Sequence, residues 1–341
     1  MIPVACLLRV VFSFGVAALL GSWAVPARAV TIDMVTVGNP GNTADTTTYG
    51  AVAYEYQIGK YEVTIQQYTD FLTAVAAADP YLLYSTSMAS ELNIAGISRA
   101  GSSGSYTYSV INNSGNRPIT YVSWLAAARF ANWMMNGQGA GSTETGAYTL
   151  GGQTSGTAPT KNPGATFYIP TENEWYKAAY YSPVLNSGSG GYYTYATQSN
   201  TVPGNNIGGG ANQANYRREL VYSVTQSASY SSSQNYLTEV GAFTSSASYY
   251  GTFDQSGSVW EVNSLTGTAG SSVGLRGGSW GNDAFASSTS FRTTNDPSGF
   301  DSNIGFRLAS PVAVPEPSTC AMALAGLACG SYSMLRRRRA R

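Results

Sequence analysis

The residues best placed to do chemistry are Asp254-Gln255-Ser256-Gly257-Ser258-Val259-Trp260-Glu261, where two carboxylates flank a glycine-containing turn. The side chains of Asp254 and Glu261 and the carbonyls of Gly257 and Val259 are hard oxygen donors of the kind calcium takes. The acidic positions do not alternate as they do in an EF-hand loop. A second arrangement of the same residues pairs Glu261 with a buried arginine and uses Asp254 to cap a turn. Further on, Arg276-Gly277-Gly278-Ser279-Trp280 opens a polar excursion that Gly305-Phe306-Arg307-Leu308 closes. Arg276 and Arg307 lie in apolar, strand-like surroundings, so each calls for a carboxylate partner in the core.

Two absences narrow the chemistry. The cysteines are Cys6, Cys320 and Cys329, all near the ends, and there is no histidine. Residues 30–311 therefore cannot build a Ser-His-Asp triad, an HExxH zinc site, a 2-His-1-carboxylate iron site, a disulfide or a thiolate nucleophile. Carboxylate chemistry stays open through Asp283, Asp296 or Asp301, provided two of them face each other across a substrate.

The chain has 341 residues, 43% of them hydrophobic, with Gly 38 and Tyr 25. That is enough to bury a sizeable core inside a loop-rich domain. Formal charge is zero, but Arg9, Arg28, Arg336, Arg337, Arg338, Arg339 and Arg341 crowd the ends. Without these and Glu316, 11 basic residues face 17 acidic ones. This acidic middle carries no nucleic-acid footprint. Residues 1–29 read as a secretory signal: Arg9, the apolar run Val10 to Leu20, then Ala27-Arg28-Ala29 as a small-x-small cleavage site. Residues 312–341 hold Val314-Pro315-Glu316-Pro317, an apolar run from Cys320 to Leu335, and a basic end that is expected to stay cytoplasmic.

Between these ends, three helix starts are visible. Thr64 with Gln67 and Thr171 with Glu174 form capping boxes, and Ser123 can cap the helix between them. Ile65, Tyr68, Leu72 and Val75 are expected on one buried face, and Trp124, Ala128, Ala131 and Met135 on another. Glu172 and Glu174 lie two apart on a helix and do not face each other, so a structural role is expected for both. Residues 85–116, 137–164 and 182–250 read as Ser/Gly/Asn-rich loops.

RGGSW followed by GFRLA resembles the C-terminal signature of the formylglycine-generating enzymes, the sulfatase-modifying factors. Three further stretches come in that family's order: Tyr61-Glu62-Val63-Thr64 with Gln67-Tyr68 and Phe71, Arg117 to Trp124, and Phe167 to Trp175. Asp254 to Glu261 is a fourth. The resemblance implies an α+β, loop-rich single domain over residues 30–311 with a variant C-type lectin fold. It favours calcium at Asp254, Gly257, Val259 and Glu261. A second calcium loop of the family falls at Asn215-Tyr216, where Ser232 to Asn235 offer only neutral oxygens.

The family oxidises a substrate cysteine with copper held by two cysteines. Counted from Arg276 without gaps, those positions are Asn282 and Ser287, while Ser279 matches the family's active-site serine. No copper or iron is expected. The tail resembles a PEP-CTERM sorting signal, which implies a transient inner-membrane anchor processed by an exosortase-type transpeptidase after signal peptidase has acted. Two functions remain: a non-catalytic cell-surface or matrix protein binding a glycan or peptide in a cleft at Ser279, Trp280, Asn282 and Asp283, or an enzyme with altered, carboxylate-based chemistry. Tyr-, Ser- and Asn-rich loops favour binding.

Overall fold

The computed structural model describes residues 29–312. Nearly all of the expected signal and sorting segments lie outside the described residues. Thr64 accepts the Gln67 N–H through its hydroxyl at 3.3 Å while Gln67 Oε1 accepts the Thr64 N–H at 2.8 Å, and the helix Ile65–Val75 follows. Satisfying two free amides in this way fixes where the helix begins. Ile65, Tyr68, Phe71 and Leu72 are buried; Val75 is only half-buried, and Phe71 fills the stripe in its place.

The helix Trp124–Met135 starts at Ser123, whose hydroxyl accepts the Ala126 N–H at 3.1 Å. It lacks the expected single apolar face: every residue from Trp124 to Met134 is buried. The reason is its central position. Phe130 meets Phe71 and Phe306 at ring separations of 5.4 Å, and Trp124 meets Tyr148 at 4.9 Å. Tyr148 belongs to the segment 137–164, so that loop acts as core. Asn132 keeps it there by accepting the Tyr148 N–H and donating to the carbonyls of Thr143 and Tyr148. Arg129, also fully buried, is neutralised by Glu144 at 2.7 and 2.9 Å.

Residues 85–116 likewise depart from the surface excursion expected of them. They form a hairpin, Ile97–Ala100 with Thr107–Val110, that packs on the first helix and buries Met88, Ile97 and Tyr108. Ser and Gly dominate the exposed half of the segment and mask the apolar residues between them.

Two sheets complete the frame. Met34–Val37, Tyr56–Gly59 and Ala309–Pro311 form an antiparallel three-stranded sheet in which Ile58 faces both Val35 and Ala309. The second sheet runs Thr293–Asn295, Val273–Arg276, Trp260–Asn263, Ile304–Gly305, the last strand parallel to its neighbour. In this sheet Glu261 lies directly beside Arg276 on one side and Gly305 on the other.

Candidate functional site

The second sheet carries the charged layer. Arg307 is fully buried and grips Glu261, with Nε 2.5 Å from Oε2 and Nη2 2.7 Å from Oε1. Trp175 Nε1 donates to the same Oε2 at 2.8 Å. The rest of the Arg307 fork is taken up by the carbonyls of Gly59 and Phe253 at 2.9 and 2.8 Å. Glu62 lies 3.9 Å from Arg307, buried, its carboxylate oxygens without a hydrogen-bond partner. Burial, then the Asp254 charge, push the Glu62 carboxyl well above the usual carboxylate range, with Arg307 pulling the other way. Burial also lifts Asp254 to about 6, against the Gly241 N–H that its Oδ2 accepts at 2.6 Å.

Arg276 finds the partner its position calls for in Glu172, at 2.8 Å, and Arg292 joins the same carboxylate at 2.8 and 2.9 Å. Glu174 closes its capping box and accepts the Tyr168 hydroxyl at 2.8 Å. Both glutamates thus hold structure, as their spacing suggests.

Of the four expected calcium ligands, Asp254, Gly257 and Val259 lie on the loop and Glu261 in the strand that follows it, and the carboxylates are otherwise engaged. Both Glu261 oxygens are committed to Arg307 and Trp175, and one Asp254 oxygen to Gly241. Among the described residues no group of three or more His, Cys, Asp or Glu is arranged to hold a metal ion. Calcium takes about six to eight oxygens. As arranged, these residues do not fit a calcium ion that uses Glu261, because it would have to displace Arg307. Asn215 is committed too, donating to the Tyr236 carbonyl at 3.0 Å. Its carbonyl lies 2.2 Å from where a Cβ on Gly257 would stand, and Gly257 has φ +85°, so only glycine lets the two segments meet there.

Past Arg276 the chain turns through Gly277 and Gly278 to Ser279, which is 0% exposed. Its hydroxyl donates to Asn282 Oδ1 at 2.6 Å. Trp280, 8% exposed, is also buried, so of the four residues expected to line a cleft only Asn282 and Asp283 reach the surface. Ser287 is buried, with no partner for its hydroxyl. Each remaining carboxylate in the excursion caps its own turn: Asp283 accepts the Ala286 N–H, Asp296 the Ser298 N–H and Asp301 the Ser302 N–H. This leaves each of them tied locally rather than aimed at a shared substrate.

An aromatic stack leads outward from Trp280, and sequence reasoning did not single out its tyrosines. Tyr236 lies parallel on Trp280, rings 5.0 Å apart and 7° from coplanar. Tyr230 lies parallel on Tyr236 at 5.6 Å and is 53% exposed. Tyr222 leans on both Tyr236 and Trp280, at 4.6 and 6.2 Å. Their only sequence signal was tyrosine content in a stretch poor in charge. A groove of about 860 Å³ lies elsewhere, between the segment 29–33, the start of the first helix and residues 110–116. None of its lining residues comes from 254–261 or 276–283, so it belongs to a different part of the surface.

Residues 32–312 match the sulfatase-modifying factor enzyme 1-like domain. No curated protein matches the chain. Among solved structures, CarF is 20% identical with a TM-score of 0.49, covering 83% of this chain and 100% of its own. Treponema denticola variable protein 1 is 19% identical with a TM-score of 0.47, covering 84% and 97%. PvdO from Pseudomonas aeruginosa is 16% identical with a TM-score of 0.40, covering 82% and 92%. With the family's domain matched over most of its length, this chain belongs to the sulfatase-modifying factor enzyme 1-like family.

Proposed function

We propose that this protein is a non-catalytic, exported member of its family that binds a saccharide on the face formed by Asn282, Asp283 and the exposed Tyr230, which the buried Tyr222 and Tyr236 support. The observation that carries the reading is the state of the family's copper positions. Asn282 and Ser287 stand there, Asn282 is tied to Ser279, and no cysteine or histidine lies within residues 30–311. Neutral Asn and Ser oxygens do not replace the thiolates that soft Cu(I) requires. The flat, half-exposed Tyr230 supports sugar stacking, since it offers area at little entropic cost. The local caps on Asp283, Asp296 and Asp301 weigh against a carboxylate hydrolase.

Export rests on the signal at residues 1–29 and the Pro315-Glu316-Pro317 tail. Signal peptidase and an exosortase-type transpeptidase are the processing partners this implies, and a cell-surface or matrix location follows. Intact mass from native cells should show a start at Val30 and no Arg341; a dominant species that keeps Arg341 favours a permanent anchor. The catalytic half of the reading is tested by incubating the copper-loaded protein with a sulfatase-type cysteine peptide in air. An unchanged thiol is expected. Enzyme-dependent conversion to the aldehyde refutes the proposal.

A further inference from the structure

The aromatic stack holds two hydrogen-bond donors with nothing to receive them. Trp280 Nε1 and Arg217 Nε are buried, and neither has an acceptor among the described residues. They flank one ring. Arg217 faces Tyr222 across the hairpin Arg217–Arg218/Val221–Tyr222, its guanidinium carbon 5.8 Å from that ring's centre. The Trp280 ring lies 6.2 Å from Tyr222, and the half-exposed Tyr230 lies 6.1 Å away. The Arg217 N–H donates to the Asn282 carbonyl at 2.8 Å, which fixes this arginine at the face described above.

Arg217 differs from the buried arginines of the core. Arg129, Arg276 and Arg307 each have a carboxylate partner, yet among the described residues none stands within ion-pair distance of Arg217. The adjacent Arg218 only brushes an exposed Glu219 at 3.9 Å. A buried donor without an acceptor is costly, and a guanidinium fork matches planar or tetrahedral oxyanions. Two donors without acceptors beside a stacking ring fit the oxyanion of an acidic sugar, held away from the exposed Asp283 carboxylate.

We propose that this face selects an oxyanion-bearing saccharide, with a uronate carboxylate or a sulfate ester on Arg217 and the sugar ring on Tyr230. The inference rests on the saccharide-binding reading and adds the charge of the ligand and the residue that reads it.

The test is calorimetric titration of the purified full chain with three oligosaccharides of equal length: a uronate, a sulfated one and a neutral one. The uronate or the sulfated sugar should bind about 10- to 100-fold more tightly than the neutral one, the range of a charge-assisted hydrogen bond. Whichever binds identifies the source of the oxyanion. Arg217→Ala should abolish the preference, so that the charged and the neutral sugar bind the variant with equal affinity. Arg217→Lys should recover part of the preference, and near-UV circular dichroism checks that both variants are folded. If Arg217→Ala does not fold, the salt dependence of the wild type decides, because a preference resting on this charge weakens as salt is added. A preference that survives Arg217→Ala or ignores salt, or equal affinity for all three sugars, overturns this inference and leaves the binding reading standing. Binding to none of the three refutes both.

Discussion

Replacing Arg307 by Met should be the most damaging single change in the charged layer, and more damaging than Glu261→Gln. Arg307 serves two buried carboxylates, Glu261 and Glu62, and the half-buried Asp254, along with the carbonyls of Gly59 and Phe253. Glu261, by contrast, loses only one arginine's worth of interaction when it is neutralised, and Arg307 keeps Glu62 nearby. Removing one partner of a buried pair costs about 3–5 kcal/mol. Two carbonyls that lose their donor add about 1 kcal/mol each. The total for Arg307→Met is then about 5–7 kcal/mol, against about 2–3 kcal/mol for Glu261→Gln. At roughly 2–4 °C per kcal/mol for a domain of this size, the first should lower Tm by about 10–25 °C. The double variant should recover about 2 kcal/mol of the Arg307→Met loss, because the uncompensated charge has gone. The assay is thermal and urea unfolding of all four proteins, in chelator and again in excess calcium. The reasoning is refuted if Glu261→Gln destabilises as much as Arg307→Met, or if its effect is seen only with calcium present. The second outcome would make Glu261 a metal ligand.

Three further expectations follow from single sites. Gly257→Ala places a methyl against the Asn215 carbonyl at positive φ and should cost about 2–4 kcal/mol, read from the urea midpoint. Lys177 is buried, its amine donating to the Asn39 carbonyl at 2.8 Å, and burial pulls that amine down to about 8 against the opposing Glu55 charge. Because the charged form is penalised in the fold, that cost is fully present below pH 8 and vanishes above the unfolded value of about 10.4. Lys177→Met should therefore gain on the order of 1 kcal/mol near neutral pH once the lost hydrogen bond is discounted, and the gain should fade as pH rises through 8 to 10 in a stability-versus-pH series. Tyr230→Ala should weaken saccharide binding while leaving the melting temperature within a few degrees, since its ring is half exposed; a large stability loss would make it a packing residue instead.

What the sequence disclosed was whatever rests on local chemistry. Thr64, Ser123 and Thr171 announced their helices because a hydroxyl three residues before an unpaired amide is a short-range event. Arg276 and Arg307 announced buried partners because a guanidinium among apolar residues has few alternatives. Glu261 shows the limit: its residue type suits both a calcium ion and an arginine, and only the strand register that brings it beside Arg276 and Gly305, with Arg307 two residues on, puts it against the arginine. The loop 137–164 misled for a related reason. Its Gly and Ser content describes backbone freedom, whereas Tyr148 and Asn132 make it core through contacts that no local pattern reveals. Trp280 was legible from RGGSW, but the Tyr222, Tyr230 and Tyr236 rings stacked near it were not, because their spacing follows neither a helix nor a strand.

The small sheet that joins both ends of the domain has a mechanical consequence. Ala309–Pro311 lies against Tyr56–Gly59, whose other edge holds Met34–Val37, and Ala309 is also bonded in both directions to Tyr168. A pull arriving along the chain after Pro311 is therefore carried by Tyr56–Gly59 and Tyr168 before it reaches the second sheet. If the protein is held to a surface from that end, tension is taken up at this clasp. The aromatic face is then insulated from it, and Tyr230 keeps its place on Tyr236 when the tether is strained.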